Sequence, residues 1–138
     1  MRLCKGAYNE PASVAFPTKA EVDESYIALM ERLLRDGVSP ALATHDARII
    51  DRAIQLVRAE GIARDSFEFQ MLYGIRRDLQ ERLIGSGYKV RIYVPYGREW
   101  YPYFMRRLAE RPANVAFIIR SVLREGRGGG RHASDRTP

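Results

Sequence analysis

The sequence predicts an α/β protein built on a parallel sheet, and two observations carry this prediction. Short strand-like runs alternate with amphipathic helical segments four times along the 138 residues, which is the pattern of strands joined by helical crossovers. Polar side chains also gather at the end of each strand-like run, where ligands collect on parallel sheets. Four such units form half of an eight-unit barrel or a small open sheet, and the pattern alone does not choose between them.

The first unit pairs a strand in residues 2–8 with a helix that lies between Thr18 and Gly37. Thr18 and Glu21 have the spacing of a capping box, in which each residue caps a backbone N–H group of the other. Gly37 is a typical helix stop. The apolar residues of this segment share one helical face, and they are Val22, Tyr26, Leu29, Met30, Leu33 and Leu34.

The second unit begins with a short strand of small residues, 40–44, and continues into a second helix. Asp46 is placed to cap the start of this helix, and Gly61 is placed to end it. The apolar face of the helix consists of Ile49, Ile50, Ala53, Ile54 and Val57.

The third unit pairs a strand in residues 67–72 with a helix that precedes Gly85 and Gly87. Ile75, Leu79 and Leu83 repeat there at helical spacing. The fourth strand, residues 88–96, alternates strongly between apolar and polar positions. Tyr88, Val90, Ile92 and Val94 share one face, Lys89, Arg91 and Tyr93 share the other, and Pro95 closes the strand.

The remainder of the chain is expected to contain two helices and a tail. Residues 99–111 have a helical pattern, and Asn114 is placed to cap a last apolar helix over residues 115–125. The segment 126–138 is rich in glycine and arginine and predicts disorder. We therefore expect one folded domain over residues 1–125.

Composition excludes several classes of protein. Hydrophobic residues make up 46% of the chain and charged residues 29%, which supplies a core and argues against disorder throughout. The single cysteine, Cys4, excludes an intramolecular disulfide. Neither a signal-peptide pattern nor an apolar run near the ~20 residues of a membrane span is visible, so a cytoplasmic location is expected. The net charge is +6, which permits contact with an anionic partner but does not indicate one.

Four residues of the helix at 99–111 stand at i, i+3, i+4 and i+7 and therefore share a face. Two adjacent arginines on this face can hold one carboxylate with directional bonds. Spacing alone favours a simpler interpretation, which is a solvated face with an ion pair. A third interpretation is a basic nucleic-acid-binding module that uses Arg76, Arg77, the same arginines and the tail. The four residues are Tyr103, Arg106, Arg107 and Glu110.

The strand ends carry further candidates. Arg2 and Lys5 surround the first strand, and Thr44 and His45 stand where the second strand meets its helix, a place suited to anions. Each is more often structural than functional. The sequence shows no zinc-ligand spacing, no phosphate-binding glycine fingerprint and no histidine placed by sequence to activate Cys4.

Five ordered segments resemble the FAD-dependent proline dehydrogenases, especially the monofunctional bacterial type. The resemblance spans residues 2 to about 123. It implies a distorted (β/α)8 TIM barrel, the oxidation of L-proline to Δ1-pyrroline-5-carboxylate, and electron transfer through FAD to a quinone of the respiratory membrane, with peripheral contact at the inner face of that membrane. The segments are RLCKGAY, ATHD, FEFQMLYGIR, RIYVPYG and YFMRRLAERPAN.

The same resemblance implies roles for individual residues. Arg2 would lie near the reactive edge of the flavin, as a catalytic residue. The expected FAD contacts are Lys5, Gly6, Ala7, Thr44 and His45. The expected proline-binding residues are Arg106 and Arg107 for the carboxylate, Tyr103 and Glu110 as their partners, and Leu72 and Tyr93 around the ring.

The resemblance begins at about the fifth strand of the family's barrel, so only the last four β/α units are expected in this chain. The earlier strands of the family carry an active-site lysine, an aspartate and a flavin-binding glutamine. We therefore expect this C-terminal half to be poorly stable alone, to associate with itself or with the missing N-terminal half, and to turn over little proline. An inactive fragment that serves only as a partner remains an alternative.

Overall fold

The computed structural model describes residues 1–5, 10–94 and 96–97, which belong to the compact unit Met1–Gly97. The helices predicted at 99–111 and 115–125 and the disordered tail predicted at 126–138 lie outside this part of the chain. The elements follow one another as β1 (Arg2–Cys4), α1 (Lys19–Asp36), β2 (Ala41–Ala43), α2 (Ala47–Ala59), β3 (Glu68–Leu72), α3 (Arg77–Gly85) and β4 (Lys89–Tyr93).

The four strands form one parallel sheet in the order β1-β2-β3-β4. The predicted α/β class with a parallel sheet is therefore confirmed. Each strand pairs with its neighbour in sequence, so β1 and β4 are the two edges. Leu42 of β2 stands opposite Phe69 of β3, which stands opposite Val90 of β4; these residues point toward the helices.

The predicted helix signals form as expected. Thr18 Oγ1 accepts a hydrogen bond from the Glu21 N–H at 3.2 Å, and the Glu21 carboxylate accepts one from the Thr18 N–H at 3.0 Å. Asp46 caps α2 by accepting from the Arg48 N–H at 3.0 Å. The Gly37 N–H donates to the Leu33 carbonyl at 2.9 Å and ends α1. Local capping chemistry thus fixes where these helices begin or end.

Gly37 yields a prediction about stability. A Cβ atom at this position would lie 2.4 Å from the Leu33 carbonyl oxygen, so Gly37→Ala should lower the free energy of unfolding by about 1–3 kcal/mol. Gly85 is the matched control, because it ends α3 and a Cβ there meets nothing within 4 Å. Gly85→Ala should be neutral or stabilising by up to about 1 kcal/mol. Urea denaturation of both variants checks this, and a Gly37→Ala protein as stable as the parent would contradict it.

The core lies between the helices and one face of the sheet. Phe69 is fully buried and packs edge-on against Phe67 and Tyr88, with ring centroids 5.3 and 5.7 Å away. The other fully buried large side chains come from all the central elements, and they are Met30, Leu42, Ile49, Ile50, Met71 and Leu83.

Two predicted core positions are wrong. Leu29 is 49% exposed and Val94 is 62% exposed. The buried residues of α1 are Tyr26, Met30 and Leu34, and Leu29 lies at the edge of the stripe that they form. Val94 follows the last residue of β4 and has left the sheet.

Candidate functional site

The carboxyl ends of the four parallel strands meet at one edge of the sheet, as they must in this topology. Lys5 follows β1, Thr44 and His45 follow β2, and Leu72 and Tyr93 end β3 and β4. Five of the predicted site residues therefore lie along the same edge. Gly6, Ala7, Tyr103, Arg106, Arg107 and Glu110 lie outside the described residues.

Lys5 is held by carboxylates of two helices. Its ammonium pairs with Asp23 of α1 and lies 3.4 Å from the Asp46 carboxylate at the start of α2. Lys19 pairs with the same Asp23. Burial acts to raise the pKa of Asp23, but the hydrogen bonds from Lys19 and Lys5 outweigh it and hold the pKa below its usual value. Lys5 is thus fixed at the strand end within a cluster of two ammonium groups and two carboxylates, which has little net charge.

Thr44 and His45 link β2 to its neighbours. The Thr44 hydroxyl accepts a hydrogen bond from the Asp46 N–H at 3.1 Å, which supports the start of α2. His45 Nε2 accepts a hydrogen bond from the backbone N–H of Leu72 at 2.9 Å. Burial, and then the nearby Arg76 guanidinium, lowers the pKa of His45 to about 4. The imidazole is therefore neutral at pH 7, and its proton resides on Nδ1.

The pKa of His45 predicts how stability depends on pH. Because the folded state favours neutral His45, this stabilisation is complete above the ordinary pKa of 6.5 and is lost as the pH falls toward 4. The loss amounts to at most about 3 kcal/mol. His45→Gln retains an acceptor without a titrating group, so its urea midpoint should fall less between pH 7.5 and pH 4.5 than that of the parent. Equal falls in both proteins would contradict the assignment.

The face of the sheet that points away from the helices is polar. We call Arg2, Glu68, Gln70, Arg91 and Tyr93 the polar face. The Glu68 carboxylate accepts from Arg91 Nε at 2.8 Å, from Arg91 Nη2 at 2.9 Å and from Gln70 Nε2 at 2.6 Å. The Arg91 and Gln70 hydrogen bonds lower the pKa of Glu68. The Gln70 side chain is buried, and its Oε1 has no hydrogen-bond partner within the described part of the chain.

Arg2 and Tyr93 come together although they belong to the two edge strands. The Arg2 guanidinium lies 4.8 Å from the centroid of the Tyr93 ring, within range of a cation–π interaction. β2 and β3 lie between these two strands in the sheet, so the two side chains meet across the polar face. Two pairs of predicted site residues are thus in contact, Arg2 with Tyr93 and His45 with Leu72.

Sequence reasoning missed Asp23 and Gln80. Asp23 stands 18 residues from Lys5 and has the appearance of an ordinary charge on a helix. Gln80 interrupts the apolar positions of α3, and its Nε2 donates to the carbonyl oxygens of Leu72 at 3.1 Å and Ile75 at 2.8 Å. A polar residue at a helix position next to buried leucines was the only signal available for it.

The described part of the site is suited to holding and orienting a ligand. It offers the Lys5 ammonium, the Thr44 hydroxyl, a neutral His45 and the exposed Leu72 and Tyr93 side chains. His45 Nε2 is occupied by a hydrogen bond, so this nitrogen is not available as a general base. In residues 1–5, 10–94 and 96–97, no group of three or more His, Cys, Asp or Glu residues could hold a metal ion.

Comparisons with known proteins point to one family. The profile of the family described as "Proline dehydrogenase" matches residues 1–120. The chain is 56% identical over 124 residues to "Proline dehydrogenase" of Deinococcus radiodurans, covering 90% of this chain and 40% of that protein. It is 51% identical over 125 residues to "Proline dehydrogenase 2" of Bacillus subtilis, covering 91% and 41% of the two chains.

A solved structure shows the same fold. The crystal structure of proline utilization A from Bdellovibrio bacteriovorus, inactivated by N-propargylglycine, matches with a TM-score of 0.70 and 30% sequence identity. The match covers 78% of this chain and 13% of that chain. By comparison, the chain spans about two fifths of the length of the Deinococcus and Bacillus relatives.

Proposed function

Because this chain belongs to the proline dehydrogenase family, a family of oxidoreductases, we propose that it supplies part of an FAD-dependent enzyme that oxidises L-proline to 1-pyrroline-5-carboxylate. The observation that carries the proposal is that motif residues from four separate segments lie at the carboxyl ends of adjacent parallel strands. Ligands of parallel α/β proteins bind at this edge. The sheet would form the last four units of a (β/α)8 barrel.

The groups at the ends of β1 and β2 fit a flavin. Lys5 carries an ammonium whose charge is balanced by Asp23 and Asp46, so it suits a hydrogen bond to an uncharged acceptor of the ligand. Thr44 and His45 lie beside it, and Gly6 and Ala7 complete the proposed FAD contacts. Bound FAD supplies the capacity to accept a hydride, and the residues of this chain bind and orient the reactants.

Proline is proposed to bind beside the ends of β3 and β4. Leu72 and Tyr93 are 37% and 38% exposed there, which leaves apolar surface to line the proline ring. Arg2 stacks on the same Tyr93 ring and would contribute a fixed positive charge next to the reacting atoms. Arg106 and Arg107 would hold the carboxylate bidentately, with Tyr103 and Glu110 as their partners. A fixed carboxylate orients the ring for hydride transfer.

Lys5 and Lys19 provide a matched test of the flavin site. Both pair with Asp23, but Lys5 is largely buried at the strand end and the Lys19 side chain is 74% exposed on α1. In the chain co-expressed with the part of the Deinococcus protein that it does not cover, Lys5→Met should weaken FAD binding about tenfold or more. Lys19→Met should leave FAD binding within about threefold of the parent. Titration with FAD followed by flavin fluorescence measures both, and equal effects would refute the assignment of Lys5.

The reduced flavin would pass its electrons to a quinone, which implies peripheral contact of the complete cytoplasmic enzyme with the inner face of the membrane. The described residues include no helix that is long and apolar enough to cross a bilayer. Reduction of a soluble quinone analogue by proline would test the acceptor directly.

The nucleic-acid alternative receives no support from the described arginines that it invoked. Arg76 pairs with Asp78 at 2.9 Å, and the Arg77 guanidinium lies 5.6 Å from the Tyr73 ring centroid. Two further arginines form ion pairs between helices: Arg52 of α2 pairs with Glu31 of α1, and Arg82 of α3 pairs with Asp51 of α2. These basic groups are engaged within the chain, so we propose no nucleic-acid partner.

A further inference from the structure

The backbone of Leu72 is held by two side chains from different parts of the chain. Its N–H donates to His45 Nε2 at 2.9 Å, and its carbonyl oxygen accepts from Gln80 Nε2 at 3.1 Å. We propose that His45 and Gln80 are positioning residues that together fix Leu72 against the proline ring. This inference rests on the proposed function, because that function places Leu72 in the substrate pocket.

The lengths of the strands explain why Leu72 needs these partners. β2 ends at Ala43, which pairs with Gln70, so β3 continues two residues beyond the end of its neighbour. On the other side β3 is still paired, since the Tyr73 N–H donates to the Tyr93 carbonyl at 2.9 Å. Consecutive N–H groups of a strand point in opposite directions, so the Leu72 N–H points to the other side of β3, where β2 has already ended. His45 Nε2 accepts the hydrogen bond that a longer β2 would have accepted.

His45 extends the sheet by one hydrogen bond without extending the strand. The residues that end β2 can therefore turn into α2, with Thr44 and Asp46 starting that helix, while β3 remains straight up to Leu72. The arrangement also assigns the two ring nitrogens. Nε2 accepts the hydrogen bond from Leu72, so Nδ1–H is the group that remains to donate to a ligand.

Gln80 completes the arrangement from the side of α3. Its side chain is buried, and Nε2 donates both to Leu72 and to the Ile75 carbonyl at 2.8 Å. Both ends of the turn between β3 and α3 are thereby tied to one amide group. Leu72 is held on both of its backbone polar groups, although its side chain is 37% exposed. The backbone at the end of a strand is ordinarily free to shift, whereas the backbone that carries this side chain is held before a ligand arrives.

Two isosteric variants separate the roles of the ring nitrogens. His45→Gln places an acceptor near the position of Nε2, whereas His45→Asn retains a donor near Nδ1 but has nothing that reaches Leu72. Amide hydrogen exchange of the co-expressed pair, measured by NMR without added flavin or proline, reports the result at Leu72, and the Tyr73 amide is the internal control. We expect exchange at Leu72 to accelerate about tenfold in His45→Asn and by less than about threefold in His45→Gln, with Tyr73 unchanged.

A kinetic measurement tests the consequence for the substrate. In the chain co-expressed with the uncovered part of the Deinococcus protein, His45→Asn and Gln80→Met should raise KM for proline several-fold more than they lower kcat. Unaltered exchange at Leu72 in His45→Asn, or equal acceleration at Leu72 and Tyr73, would overturn the proposal. So would an unchanged KM in both variants. The exchange result does not depend on flavin or proline, so it stands even if the proposed function fails.

Discussion

Replacing Arg106 and Arg107 together by methionine should reduce kcat/KM for L-proline by about three orders of magnitude in the chain co-expressed with its complementary part. Each guanidinium is proposed to make charge-assisted bonds to the substrate carboxylate, and loss of one partner of such a pair costs about 2–5 kcal/mol. Methionine retains an unbranched apolar stem like that of arginine but removes the guanidinium and its charge. Steady-state kinetics with varied proline measure the effect, and visible absorbance confirms that flavin is still bound.

The control for this variant replaces Arg52 and Arg82 by methionine. Each is about half exposed and forms an ion pair between neighbouring helices, with Glu31 and Asp51 respectively. Exposed pairs of this kind contribute about 0–1 kcal/mol to stability, so kcat/KM should stay within about threefold of the parent. If the Arg106 and Arg107 variant behaved like this control, the two arginines would not bind the substrate carboxylate.

The chain without its complementary part should turn over proline at less than about 1% of the rate of the co-expressed pair, and it should self-associate. β1 and β4 present unpaired edges within the described sheet, and parallel sheets are ordinarily covered on both faces. The polar face contains a buried Gln70 oxygen for which the described residues supply no donor, which costs about 1–3 kcal/mol. Light scattering after size-exclusion chromatography, combined with the proline assay, tests both parts of the prediction.

A monomeric chain that binds flavin tightly and oxidises proline at the full rate would contradict this expectation. The outcome with the complementary part decides between two explanations of an inactive chain. Recovery of activity on co-expression would show that the chain supplies working residues. Binding without recovery would favour the inactive partner fragment.

Local sequence signals predicted the elements of the fold well. Thr18 with Glu21, Asp46 and Gly37 each act within a few residues of their own position, so the sequence alone contains the whole interaction. Leu29 shows what such local signals cannot predict. Its apolar character suits the helix, but its exposure depends on which neighbour packs against α1, and that is a property of the tertiary structure.

The site was less accessible to sequence reasoning, for a related reason. The resemblance named His45 and Leu72 separately, but their hydrogen bond depends on β2 ending two residues earlier than β3. Likewise, the pairing of Lys5 with Asp23 joins a strand end to a helix face. No short motif contains both partners. Residues 106 and 107 lie outside the described part of the chain, so their role remains a proposal based on resemblance.

The central claim is that this chain holds flavin and proline together at the carboxyl ends of its strands. Anaerobic addition of L-proline to the purified, co-expressed pair tests it most directly, with the visible absorbance of the bound flavin as the signal. We expect the absorbance of oxidised flavin to disappear with the parent chain and to persist when Arg106 and Arg107 are replaced by methionine. A parent complex that carries no flavin, or whose flavin stays oxidised in saturating proline, would contradict the claim.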